Sequence, residues 1–313
     1  MTLELNQLTE QVAGIGATLA ARSTELAARL PQARAALRAL VGDDAALQRK
    51  IERALSLHWA GAIPTEEPPH AVFPCPPHPP RANVIAADGS QLYPDRHGIA
   101  LYYLINTGSI IFRHGLEDAP TCASQPRLFY ENEDLYLGEH LIPAALVDSR
   151  RDLAELHELA RLAAAESDAA PTLALLDNGL LLYLGLHSSE QRRSDEILRD
   201  YLRVLGEIEG TSAAIAGVID RPRAANVLRL LRLAELESDD FESEELRQLG
   251  DYMQLTDRML FGALKPGERS ALFVNASPEN MEKYMPRGHK IMFFYVNTGS
   301  AEEPGILRME VPE

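Results

Sequence analysis

The sequence predicts an α/β protein, a mixed sheet flanked by helices with an N-terminal helical arm. Three observations predict it. Apolar residues recur at helical period through roughly the first 60 positions. A proline-rich stretch then separates this arm from the rest. Beyond it, short apolar runs of strand length alternate with helix-length amphipathic segments, the pattern of a sheet with helices on its faces.

In the arm, residues 1–62, Leu8, Val12, Ile15 and Leu19 form one apolar stripe, which Leu26 and Leu30 resume after Arg22 and Ser23. Pro31 marks a kink or break. A second helix begins near Asp43-Asp44, a capping pair, and carries Leu47, Ile51, Leu55 and Trp59 on one face. The plain reading is an antiparallel pair packed on another surface, a second subunit among the options. Eight prolines fall between Pro64 and Pro80, so residues 63–81 read as an extended linker. Cys75 and His78 lie in it with no second pair of metal donors following.

In the core, residues 82–313, the first strand is expected over 83–87. A hairpin over 99–105 and 109–113 would turn at Asn106-Thr107-Gly108. A strand at 127–130 precedes a helix from Ser149, read as its N-cap, to about Glu166. Strands over 172–176 and 213–219 alternate with helices over 190–208 and 223–236. An acidic loop over 235–245, a helix over 255–264 and strands over 270–274, 291–296 and 306–311 complete the pattern.

Composition narrows the function. Hydrophobic residues make up 46% of 313 positions, the share of a globular chain, and the formal net charge is −16. The longest uncharged run, 98–112, contains Asn106, Thr107 and Ser109 and falls short of a bilayer-spanning helix. Met1-Thr2-Leu3-Glu4-Leu5 lacks the basic-then-apolar order of a secretory signal. Cys75 and Cys122, the only cysteines, exclude a disulfide scaffold. Together these point to a cytoplasmic protein with no membrane partner. The acidic balance opposes avid binding of free duplex DNA, which needs cations against phosphate, unless a local basic groove or a partner assists.

Asp88 follows the apolar Ile85-Ala86-Ala87 and precedes Gly89-Ser90-Gln91. It reads either as a turn, since Asp-Gly favours turns, or as a metal ligand at a strand end. Asp177 repeats the arrangement, after Thr172-Leu173-Ala174-Leu175-Leu176 and before Asn178-Gly179. Two carboxylates brought together repel unless a cation or proton lies between them, and oxygen donors suit Mg²⁺ or Mn²⁺. Asp152, Glu155 and Glu158 share a helix face, which is either solvated, with an Arg151–Glu155 pair, or turned toward Asp88 and Asp177. Asp220 ends another strand; Arg221 and Arg223 beside it, with Arg229 and Arg232 beyond, could hold a phosphate backbone. Asp257 reads as a cap or a salt-bridge partner, and His289 as a loop residue. Phosphate-loop, G-x-S-x-G and H-E-x-x-H motifs are absent, so kinase, P-loop and serine-hydrolase readings lack support.

In order and spacing, these stretches resemble the NurA family of DNA-end-processing nucleases. The resemblance is carried by Ala87-Asp88-Gly89-Ser90-Gln91, Arg150-Arg151-Asp152-Leu153-Ala154-Glu155-Leu156, Leu175-Leu176-Asp177-Asn178-Gly179-Leu180, Gly217-Val218-Ile219-Asp220-Arg221-Pro222-Arg223, and the region from Leu255-Thr256-Asp257 to Pro266-Gly267-Glu268-Arg269-Ser270. It implies a ribonuclease-H-like core and a manganese-dependent (or magnesium-dependent) nuclease acting in double-strand-break repair. It also implies a homodimer docked on a hexameric HerA-type ATPase. Carried over by motif, Asp88, Glu155 and Asp177 become ligands of two divalent ions, with Asp220 and Asp257 in support. Glu155 is chosen over Glu158 for its four-residue distance from Arg151. Family members usually continue past the strand at 306–311 into a segment that supplies a histidine, whereas this sequence stops at Glu313. The resemblance therefore implies either a fragment or a member without that group. The competing expectations are a catalytically impaired adaptor for the ATPase and a hydrolase of RNA or a small phosphoester.

Overall fold

A computed structural model of the chain describes residues 8–166, 170–184 and 191–313. It opens with helices α1 (Thr9–Ala39) and α2 (Ala45–Ser56), followed by strands β1 (Ala62–Pro64), β2 (Val72–Pro74), β3 (Ala82–Leu92), β4 (Tyr103–His114) and β5 (Thr121–Phe129). Next come α3 (Asn132–Leu135), the small hairpin β6 (Tyr136–Leu137) and β7 (His140–Leu141), α4 (Ala144–Glu166), β8 (Thr172–Asp177), α5 (Gln191–Glu209) and β9 (Ala214–Ile219). The remainder is α6 (Asn226–Glu235), α7 (Ser243–Arg247), α8 (Asp257–Leu260), β10 (Glu268–Ser270), β11 (Phe273–Asn275), β12 (Ile291–Asn297) and β13 (Ile306–Pro312). Among the described residues, no helix is long and apolar enough to cross a membrane.

The chain divides into two compact units, each assembled from three segments. The first contains residues 1–74, 221–278 and 295–306. Here α1 and α2 pack with α6, and α1 also meets α8, so the expected arm shares a unit with residues 221–278. Asp44 caps α2 as expected, its Oδ1 accepting the N–H groups of Ala46 and Leu47 at 2.8 and 3.0 Å. Pro31 stands inside an unbroken α1. Trp59 lies beyond the end of α2, which closes at Ser56, and is buried. The expected linker contains two short strands, β1 paired with β11 and β2 paired with β10. Both end on a proline, which strand edges tolerate.

The second unit contains residues 75–220, 279–294 and 307–313. Its strand order is β12–β13–β9–β8–β3–β4–β5. Pairing is antiparallel from β3 through β4 to β5, and parallel from β3 to β8 and β8 to β9. Numbering β3, β4, β5, β8 and β9 as one to five gives the order 3-2-1-4-5 with the second strand antiparallel to the rest. That is the order of a ribonuclease-H-like core. The helix side of the sheet carries Ile85, Ala87, Ala174, Leu176 and Ile215, which share a buried cluster with Leu156 and Leu159 of α4 and Tyr201 and Leu205 of α5.

Three sequence expectations fail in this unit. Asp88-Gly89 is not a turn, since β3 continues through it to Leu92. Asn106-Thr107-Gly108 is not a hairpin turn, since these residues lie inside β4, with Gly108 opposite both Asp88 and Ser124. Ser149 does not cap its helix. α4 begins after Pro143, whose carbonyl accepts from Leu146 and Val147, and the Ser149 hydroxyl donates to the Ala145 carbonyl at 2.7 Å.

Candidate active site

The register of β3 on β8 pairs Ala86 with Leu175 and Ala87 with Leu176, so Asp88 and Asp177 are the next residues on adjacent parallel strands. Residues paired in register point to the same face. Both carboxylates are exposed, and they line a shallow depression of about 450 Å³ with Ala86, Leu175, Ile110 and Val218. Asp177 Oδ1 also accepts the N–H of Asn178 at 3.0 Å, where the chain turns with φ of 75°.

Glu155 reaches the same strand from the opposite, helix-covered face. It accepts the backbone N–H of Gly89. A Cβ on residue 89 would stand 2.5 Å from Glu155 Oε1 and 2.5 Å from Arg151 Cγ, so glycine is what admits both side chains. Glu155 is 3% exposed. Burial, then the charge of Asp152, push its carboxyl up to about 7, with Arg151 opposing and Asp88 adding to the rise.

Arg151 is the cation of this corner. Its Nε lies 3.2 Å from Glu155 Oε1, its Nη2 2.6 Å from Asp152 Oδ1, and its Nη1 donates to Gln91 Oε1 at 3.1 Å. Gln91 passes its own amide on to Asp148 Oδ1 at 2.8 Å. Arg151 thus serves Asp148, Asp152 and Glu155 together, and the field of Asp88 also reaches Glu155. Glu158, the alternative to Glu155, is fully engaged elsewhere. It accepts from Ser109 Oγ at 2.8 Å, Gln125 Nε2 at 3.0 Å and both Nε and Nη2 of Arg161. The Arg161 hydrogen bond leads in holding its pKa below the ordinary value.

The structure therefore brings Asp88 and Asp177 together and sets Glu155 against the same strand, across the sheet. Among the described residues, no three His, Cys, Asp or Glu side chains already form a metal-holding group.

Residues 82–313 match the NurA domain. The chain belongs to the NurA domain family. Among solved structures, it is similar to the NurA nuclease from Sulfolobus solfataricus at 12% identity and a TM-score of 0.48, covering 100% of this chain and 82% of that one. It is also similar to the catalytic domain of human Endonuclease V at 13% identity and a TM-score of 0.33, covering 85% of this chain and 80% of that one. No curated protein matches it.

The other candidates of this NurA-family chain stand apart. Asp257 is fully buried in the first unit. Its two oxygens accept the N–H groups of Val227 and Leu228 at 3.0 Å each, and Tyr295 Oη donates to it at 2.9 Å. This is the work of a helix cap. Asp220 closes the segment after β9 in the second unit; Arg221, with φ of 48°, and Arg223 are exposed and begin the return into the first unit. His289 Nδ1 lies 3.0 Å from Glu209 Oε2.

Sequence reasoning missed Glu310. It is 3% exposed in β13, receives the N–H of Leu180 at 2.9 Å on Oε2, and pairs with Arg308 at 2.7 Å through Oε1. A Cβ on residue 179 would stand 2.5 Å from its Oε2. Glu310 therefore pins the turn that follows Asp177. Two charges alternating within the otherwise apolar Ile306–Pro312 were the available signal.

Proposed function

We propose that this NurA-family chain is a divalent-metal-dependent DNA nuclease that processes DNA ends in double-strand-break repair. The observation that carries the reading is the pairing of Asp88 and Asp177 on adjacent parallel strands, with Glu155 seated at Gly89. Asp88 and Asp177 offer the oxygen donors that such a cation prefers, in one shared depression.

Asp88 and Asp177, side by side on the open face, would hold Mn²⁺ or Mg²⁺, two ions in the proposal, with Glu155 as the third carboxylate of the set once it reaches that face. When bound there, such ions polarise a phosphoryl oxygen and lower the pKa of water. Glu155, held by Gly89 and Arg151 on the helix side of β3, acts in the proposal through that strand and its charge on Asp88. Gln91 and Asp152 keep Arg151 in place beside it. Assembly as a homodimer on a HerA-type ATPase belongs to the same proposal and rests on the family resemblance. With a net charge of −16, retention of DNA by such a partner suits the chain.

The test is cleavage of end-labelled linear DNA in Mn²⁺, Mg²⁺ or EDTA by the wild type, Asp88→Asn and Asp177→Asn. The expected result is metal-dependent cleavage that falls by at least about 100-fold in each variant. Equal cleavage by all three proteins sinks the assignment. An inactive wild type that also fails to bind Mn²⁺ in calorimetry supports the adaptor reading instead.

A further inference from the structure

We propose that the groove between β5 and α4 binds the phosphodiester backbone of a single nucleic-acid strand, as a site separate from the carboxylates. The proposal rests on the nucleic-acid reading above but not on catalysis.

Two periodicities build the groove. On β5, Gln125, Arg127 and Phe129 alternate onto the helix side of the sheet. On α4, Arg150, His157 and Arg161 fall on one helix face and form the facing wall. Ile105, Leu153 and Ala154 complete an apolar floor. The enclosed volume is about 810 Å³, and the wall from residue 150 to 161 runs about 16 Å along the helix axis. A strand of a few nucleotides can lie in a channel of that capacity.

The charge is concentrated against the trend of the molecule. In a chain of net charge −16, three arginines line this groove; Arg161 pairs with Glu158 and Arg150 with Asp134, which leaves the charge of Arg127 uncompensated by a carboxylate among the described residues. Their guanidinium groups are held in position. The Arg127 guanidinium lies 4.8 Å from the centre of the Phe129 ring, Phe129 stacks on Tyr103 with centroids 4.5 Å apart, and Arg150 covers Tyr103 at 5.7 Å. This ladder fixes two guanidinium groups through cation–π contacts and leaves hydrogen-bond donors of Arg127 for a ligand. Among the described residues, Arg127 has no carboxylate partner. Such a wall supplies what sequence-independent backbone binding needs, forked donors and positive charge over an apolar floor. Because α4 also carries Glu155, a strand held here lies on the same side of the sheet as Glu155, with Asp88 and Asp177 on the opposite face.

The test is fluorescence anisotropy of labelled oligothymidine in EDTA at 50 and 200 mM salt. Arg127→Ala and Arg127→Glu are compared with wild type, and Arg203→Ala serves as a control, an exposed arginine of α5 paired with Asp200 and Glu207. Arg127 is exposed on β5, and thermal melts check that its variants fold. Binding is expected to weaken about threefold to tenfold in Arg127→Ala and further in Arg127→Glu, with the salt slope falling by about 0.7. Arg203→Ala is expected to bind as wild type does. Unchanged binding in both Arg127 variants overturns the proposal, as does an equal loss in Arg203→Ala. Displacement by polyglutamate as effective as by unlabelled oligothymidine assigns the groove to acidic peptides and also overturns it. Binding that persists while cleavage is absent in every metal sinks the nuclease reading alone.

Discussion

Gly89 and Glu155 define each other's place: the carboxylate oxygen of Glu155 lies 2.5 Å from where a Cβ of residue 89 would be, and it accepts the backbone N–H of the same residue. The glycine after Asp88 is thus explained by a helix side chain crossing the strand. Asp177 has the parallel arrangement two residues on, where Gly179 makes room for Glu310.

Gly89→Ala is expected to displace Glu155 and Arg151 together, because the added methyl group would stand 2.5 Å from Arg151 Cγ and 2.5 Å from Glu155 Oε1. Overpacking of this kind costs about 1–3 kcal/mol. DNA cleavage should fall by at least about tenfold in samples still folded at the assay temperature, as read by thermal melts and end-label assays side by side.

Gly179→Ala acts through a different carboxylate. The added methyl meets Glu310 Oε2 and competes with the Leu180 N–H that this oxygen receives. The turn after Asp177 should loosen, and hydrogen exchange at the Leu180 amide should rise by about tenfold or more. An exchange rate equal to wild type would show that Glu310 does not hold the turn.

Glu155 and Glu158 should give stability opposite pH dependences although they lie one turn apart. The Glu155 carboxyl is raised to about 7 in the fold, so the folded state binds the extra proton. Stability tied to it is complete below about pH 4.5 and is lost as pH rises through about 7. In EDTA, Glu155→Gln should therefore gain on wild type across that window, by up to about 3 kcal/mol. Glu158 is lowered by Arg161, Ser109 and Gln125, so its contribution is present above about pH 4.5 and lost as pH falls through its folded value. Glu158→Gln should lose most at neutral pH and converge with wild type in acid. Urea melts from pH 4 to 8 decide both signs.

Asp257→Ala should be a stability variant. It strips two N-terminal amides of α6 and the Tyr295 hydroxyl of their acceptor in a fully buried place. The expected cost is about 3 kcal/mol by chemical denaturation. A melt within about 0.5 kcal/mol of wild type would contradict the capping role.

Much of the sheet was readable because β8 and β9 are short apolar runs with no competing pattern, and their ends place Asp177 and Asp220 without knowledge of the fold. The local signals that misled are those with a tertiary cause. Asp-Gly and Asn-Thr-Gly spell turns, yet Gly89 answers to α4, and Gly108 lies between Asp88 and Ser124 inside a three-strand ladder. Ser149 looks like a cap because serine favours that position, while Pro143 had already started the helix. Spacing offers only indirect grounds for choosing between Glu155 and Glu158, since both are buried on one helix. Their partners separate them: Ser109 and Gln125 for one, Gly89 for the other. The charge alternation of Arg308 and Glu310 was visible, but not the role of Glu310, because its partner Leu180 is 130 positions away.

The order of strands also bears on how the chain is made. β13 lies between β9 and β12, in the interior of the sheet, yet Ile306–Pro312 follows both of these neighbours in the sequence. During synthesis, β9 emerges from the ribosome long before the neighbour that completes its hydrogen bonding. For that interval it presents an open edge able to recruit foreign strands, and the vectorial growth of the chain covers that edge only when β13 arrives.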